Sequence, residues 1–151
     1  MKLKHVLKFA GIAVLTVAAV ISCSMFGVSI ADRIAAFQDN LNSADRSSLY
    51  LNFDSAATSD YNALKDPTTT IDVYIPPRVT GDPLYALTIT NDSNPSTGVL
   101  VTISGGPASF GGTHYLKLVM DNSTSFLGDW QIVSLRLSST SSAYPTTPQF
   151  Q

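Results

Sequence analysis

The feature that most constrains this chain is a switch in apolar periodicity near Thr68. Before it, Ile30, Ile34, Phe37 and Leu41 recur at spacings of four, three and four, one stripe of an α-helix, with Asp32, Arg33 and Asp39 turned to water. Ser29 stands where an N-cap belongs. After the switch, apolar and polar residues alternate with the period of half-buried strands. Thr70–Ile75, 84–90, 99–104, His114–Asp121 and 129–138 read as strands, and the turn-rich Asn91–Gly98 joins the second and third as a hairpin. Two weaker helical segments, a capped one from Ser43 to Phe53 and a turn from Ser59 to Leu64, fill the interval.

Composition agrees with this division. All 11 acidic residues are Asp, Glu is absent, and only 13% of the chain is charged, so Ser and Thr supply most of the polarity. Such a chain is poor in helix formers and suited to strands and turns, which argues against a helical bundle. At 151 residues it is long enough for one domain. Helices first and an antiparallel meander afterwards define an α+β class, with N-terminal amphipathic helices packed on a curved antiparallel sheet. Ile34, Phe37, Leu41, Leu118, Trp130, Ile132 and Leu135 are its expected core, and the tail 139–151, with Pro145 and Pro148, has nothing to bury and reads as disordered.

The N-terminus carries the strongest functional signal. Lys2, Lys4 and Lys8 precede an uncharged apolar run from Phe9 to Ile21, and Val20-Ile21-Ser22-Cys23 follows at its end. This succession has the layout of a secretory signal, and it resembles the lipobox of bacterial lipoproteins. Val20 stands where the usual Leu is found. By that resemblance residues 1–22 are a signal peptide, Cys23 is the lipidation site, and the 23–138 domain is held at the membrane of the cell envelope by acyl chains. Two other readings stay open. The uncharged stretch from Phe9 to Ala31 is long enough to span a bilayer as a single uncleaved helix, and Ser29-Ile30-Ala31 offers an ordinary cleavage site for a released protein. All three export the rest of the chain. Losing Lys2, Lys4 and Lys8 with the leader takes the net charge from -2 to -5, which disfavours nucleic acid as a partner. One Cys and two His are too few for a disulfide framework or a Cys/His zinc site, and no metal or cofactor is called for.

The amphipathic first helix, the short second one at Asn42–Leu49 and the closing Gly128-Asp129-Trp130-Gln131-Ile132-Val133 together resemble the nuclear transport factor 2-like superfamily. That resemblance covers about Val28 to Ser138 and implies a curved sheet wrapped around a helix, leaving a cone-shaped cavity. In enzymes of the superfamily, isomerases and dehydratases among them, an Asp, His or Tyr on the strands faces that cavity. His114, Asp72, Tyr74 and Tyr85 are the weak catalytic candidates here. His114 shares a strand face with Leu116, Leu118 and Met120, so an imidazole at the cavity mouth is the best placed base. Read as plain structure, His114 is a solvated strand-end residue, and Asp72 and Tyr74 form the wet face of an edge strand. Arg136, on the face of Trp130, Ile132 and Ser134, either lines the cavity as an anion ligand or points past the sheet edge. Gly105–Gly112 lacks the Lys-Ser/Thr pair of a phosphate loop and reads as an inter-strand loop. With no nucleophile–base pairing in view, the sequence favours a non-catalytic module that holds a small apolar ligand or a protein partner. A small cavity enzyme using His114 or Asp72 is the alternative.

Overall fold

A computed structural model describes residues 27–66 and 71–151. Cys23 and the leader 1–22 lie outside the described residues. Among the described residues the architecture is α+β: one α-helix, α1 (Ile30–Asn42), and a four-stranded antiparallel sheet of β1 (Ala86–Asn91), β2 (Val99–Ser104), β3 (His114–Asp121) and β4 (Gln131–Ser138) in simple meander order. Among the described residues no helix is long and apolar enough to cross a membrane.

Helix α1 begins where the sequence placed it. The Ser29 hydroxyl accepts the Asp32 amide at 3.1 Å and donates to the Asp32 carboxylate, satisfying an otherwise orphaned N–H with an acidic group at the helix's positive end. Its stripe of Ile34, Phe37 and Leu41 is buried against one face of the sheet. Phe37 meets Phe53 edge-on at 6.0 Å. The sheet's half of the core comes from alternate residues, Val99, Val101 and Ile103 on β2 and Leu116, Leu118 and Met120 on β3. Of the expected core, six residues are buried, and Trp130 is half-buried at its margin, just before β4.

Four expectations are corrected. The segment from Ser43 to Phe53 is helical only as a 3₁₀ turn at Leu49–Asn52. Ser43 Oγ captures the Asp45 amide and Asp45 Oδ1 the Ser47 amide, local bonds that compete with a helix. Residues 71–75, the described part of the expected 70–75 strand, are no strand. Ile71–Val73 is a 3₁₀ turn, with the Tyr74 and Ile75 amides both bonded to the Ile71 carbonyl. Ile71 and Ile75 share a face in either conformation. Val73, 69% exposed between them, is what the turn turns outward.

The third correction is on β4, where the register shifts between Val119 and Met120 so that Met120 pairs with Ile132 but Val119 with Ser134. The bulge reverses the alternation beyond Val133, placing Leu135 and Leu137 on the core face with Ile132. Arg136 therefore pairs with Lys117 on the opposite face, not the face of Ile132. The fourth is the tail, which is not without burial. Phe150 is buried and bridges to Leu135, while the Gln149 side-chain amide exchanges bonds of 2.9 and 3.1 Å with the Leu137 backbone, as a neighbouring strand would. Asp54 N–H and the Thr58 hydroxyl bond the Ile132 carbonyl further along, so this sheet edge is covered rather than open.

Candidate functional site: an apolar groove between α1 and β1

The other edge of the sheet is only half covered. Asn42 on the last turn of α1 accepts the Tyr85 amide at 2.8 Å and donates to its carbonyl at 2.9 Å, and Gln38 Oε1 accepts the Leu87 amide at 2.6 Å. Two helix side chains thus mimic a strand as far as Leu87. Because Leu87 points its N–H away from β2, antiparallel alternation turns the N–H and C=O of Ile89 to the same outer side. Beside them runs an open groove of about 340 Å³ lined by Ala31, Ile34, Ala35, Gln38, Leu87, Thr88 and Ile89. The small Ala31 and Ala35 on the exposed flank of α1 leave it room. A second groove of about 360 Å³ lies at the far end of α1, lined by Asn42, Ala44, Arg78, Val79 and Thr80.

None of the four weak catalytic candidates lines either groove. His114 does face the core side of β3, as its alternation with Leu116 requires. Its Nε2 stands 2.7 Å from the Phe110 carbonyl and 2.9 Å from that of Gly111. Carbonyls only accept, so Nε2 is the protonated nitrogen. The ring also packs at 4.2 Å on Phe110, tying the 105–112 loop to the sheet. Tyr85 is buried with its hydroxyl donating to the Pro76 carbonyl at 2.7 Å. Burial pushes that hydroxyl up to about 12, against the pull of Arg46, so it stays protonated at neutral pH. Gly106 closes over the Tyr85 ring, where a Cβ would stand 2.3 Å from the ring edge. Tyr74 is exposed and packs edge-on against Phe150.

Asp72 makes the one ion pair seen among the described residues, 2.6 Å from Arg46 Nη1, which also donates to the Ile75 carbonyl at 2.8 Å. Burial is the main influence on both partners, lowering Arg46 and raising Asp72 despite their mutual attraction. Arg46 Nε and Nη2 are buried with no hydrogen-bond partner among the described residues. Arg46, Asp72 and Tyr85 form one electrostatically coupled cluster. The Arg46 and Asp72 side chains keep only 3% and 13% of their exposure, so the cluster is sealed from substrate. No signal in the sequence marked Arg46.

A second missed residue is Asp54. It accepts the Ala56 and Ala57 amides at 2.7 and 2.9 Å and the Thr124 hydroxyl, joining the 53–58 segment to the β3–β4 loop. Burial pushes its carboxyl up, and these bonds outweigh burial and hold it below the usual carboxylate value. Among the described residues no three His, Cys or Asp side chains are grouped as a metal site. Comparison with known proteins finds no matching family model, no similar curated protein and no similar solved structure.

Proposed function

We propose that this chain is exported, held at a membrane of the cell envelope through lipid on Cys23, and acts as a non-catalytic module that takes a partner protein's extended apolar segment in the α1–β1 groove. The observation that carries the binding reading is the groove itself. Its lining is apolar apart from Gln38 and Thr88, it holds no titratable side chain, and strand alternation turns the Ile89 main chain toward this edge. That combination suits an extended segment, which gains affinity from backbone bonds and specificity from side chains set in the groove. Each of His114, Asp72 and Tyr85 is committed to a structural contact, which weighs against the cavity-enzyme alternative.

The start of the domain supports the tether. Val28 donates to Asp129 at 2.7 Å and accepts from the Trp130 amide at 2.9 Å, and Ser29 caps α1, so Gly27 onward belongs to the domain. Cleavage after Ala31 would remove all of these bonds. A span ending at Phe26 would have 18 residues from Phe9, or about 27 Å of helix against roughly 30 Å of hydrocarbon. The order of helix, short turns and four-stranded meander, with Gly128-Asp129-Trp130 immediately before β4, also supports the likeness to nuclear transport factor 2-like domains, with the curved sheet it implies.

Two measurements test the proposal. Fatty-acid analogue labelling should mark the wild type and spare Cys23→Ala, and equal labelling of both ends the lipid claim. A photo-crosslinking phenylalanine at Ala35 should give a discrete protein adduct in the envelope, and one at Thr102 on the opposite sheet face should not. Adducts alike from both positions, or from neither, count against the groove, and a small apolar molecule retained in native mass spectrometry would replace the protein partner.

A further inference from the structure

We infer that the β3–β4 loop sets Phe126 and Leu127 into the lipid surface beside the tether, giving the domain a second membrane contact and a fixed face toward the bilayer. The inference rests on the tethered reading above.

Phe126 is wholly exposed and Leu127 is 54% exposed, at the tip of a loop whose other residues before Trp130 are Asn, Ser, Thr, Gly and Asp. Adjacent large apolar side chains held in water mark a contact surface. The loop is ordered beneath them. The Asp121 carboxylate accepts the Asn122 and Ser123 amides, Thr124 donates to Asp54, and the Gly128 amide bonds the Ser125 carbonyl at 3.2 Å. Phe126 is therefore presented by a braced turn.

The position of that turn names the occupant. Gly27, the first described residue, packs so closely on it that a Cβ there would stand 2.3 Å from the Leu127 carbonyl oxygen. Cys23 lies four residues earlier, so even a fully extended chain keeps its Cα within about 14 Å of Gly27. A lipid on Cys23 thus brings the bilayer surface to this end of the domain. Leu51, also about half exposed, is gathered to the same end by Arg33, which donates to the Leu51 carbonyl at 3.2 Å and the Trp130 carbonyl at 2.8 Å. Asp54, Asp121 and Asp129 surround the loop, so attraction to anionic headgroups is not the driving force, and apolar insertion into a zwitterionic surface is. The exposed Val79 and Leu84 sit at the other end of α1, where Arg78 donates to the Asn42 and Pro83 carbonyls. Thirteen helical residues, about 20 Å, separate the two ends.

The test uses the full chain, purified with its lipid and reconstituted in phosphatidylcholine vesicles. In Phe126→Trp/Trp130→Phe the indole reports from the loop tip, and in Val79→Trp/Trp130→Phe it reports from the far end. Acyl chains brominated near the headgroup should remove most of the emission at position 126, more than deeply brominated chains do, and leave position 79 unchanged. Flotation of the same samples reads the tether separately. A chain that floats with an unquenched residue 126 overturns the loop contact and leaves the tether standing, as expected if a protein covers the loop instead. A chain that does not float overturns both. Quenching at both positions, or only after anionic lipid is added, also overturns the inference. If Trp130→Phe unfolds the domain by circular dichroism, Phe126→Trp alone, read as a difference from wild type, serves the same comparison.

Discussion

Removing the hydrogen-bond acceptor at residue 72 is expected to destabilise the fold by about 3 kcal/mol, the lower end of what stranding a buried charge costs. The lower end applies because Asp72 keeps 13% of its side-chain exposure, and because the Ile75 carbonyl still accepts from Arg46 Nη1 after the change. Two of the three guanidinium nitrogens already lack partners among the described residues, so Asp72→Leu leaves the cation with that carbonyl as its one acceptor among them. Asp72→Asn should lie within about 1 kcal/mol of wild type, since an amide oxygen still accepts and burial already penalises the carboxylate. Arg46→Met/Asp72→Leu should recover most of the loss, because the charge that needed the acceptor is gone. Urea unfolding followed by circular dichroism in mild detergent measures all three. With a slope of about 1.5 kcal/mol per molar, Asp72→Leu lowers the midpoint by about 2 M. The raised folded value of Asp72 also sets a sign. Its contribution is full below the unfolded carboxylate value and is lost as pH rises through the folded one, so wild type should gain on Asp72→Asn in acid. A double variant as unstable as Asp72→Leu alone would refute the reasoning, since the loss would then come from packing at residue 72.

The tail is expected to be part of the fold, so Phe150→Ala should cost about 3 kcal/mol in the same urea assay, while Phe126→Ala on the exposed loop should change stability by less than about 0.5 kcal/mol. Equal effects would mean that the tail does not dock. Gly106→Ala should lower the melting temperature more than Gly112→Ala. Both residues have φ near +76°, but only at Gly106 does the new Cβ meet an aromatic ring, with nothing within 4 Å at Gly112. Asp54 should contribute to the acid limb of stability. Its folded value is depressed, so its contribution is present above the unfolded carboxylate value and lost as pH falls through the folded one, and Asp54→Asn should flatten that limb in a pH series of urea midpoints.

What the sequence made legible was periodicity over enough residues to exclude alternatives. The stripe from Ile30 to Leu41 and the two strands at 99–104 and 114–121 have four or more matching positions each, and all three elements stand where the spacing puts them. Thr70–Ile75 failed because Ile71 and Ile75 fit a period of two and a turn of four equally well. The exposure of Val73 that separates them depends on what packs above. Arg136 was placed on the wrong face because strict alternation carries no bulge, although Ile132 and Leu135, both apolar and an odd number apart, already conflicted with it. The tail failed for a different reason. Phe150 is a single apolar residue among Pro, Thr and Gln, and its burial is decided by a groove that Leu135 and Tyr74 make from elsewhere in the chain. The α1–β1 groove was hidden for a related reason, since two helix side chains, Gln38 and Asn42, determine where the sheet edge stays open.

The two proposed contacts constrain each other through α1. With Gly27 and Phe126 at the bilayer, the helix begins at the membrane end, and the groove along Ala31 to Gln38 occupies the first two thirds of its length. On the proposed tether and loop contact, the groove would open within about 20 Å of the lipid surface. A partner segment would then meet it near the membrane, and confinement of both to that thin layer would raise their effective concentration. An open groove of about 340 Å³ is suited to that situation, where weak contacts suffice. The braced loop then has a purpose beyond adhesion. A domain held by lipid alone can rotate about the few residues after Cys23, presenting the groove to the bilayer as often as to a partner. The proposed second contact at Phe126 would remove that freedom and keep the groove facing along the membrane.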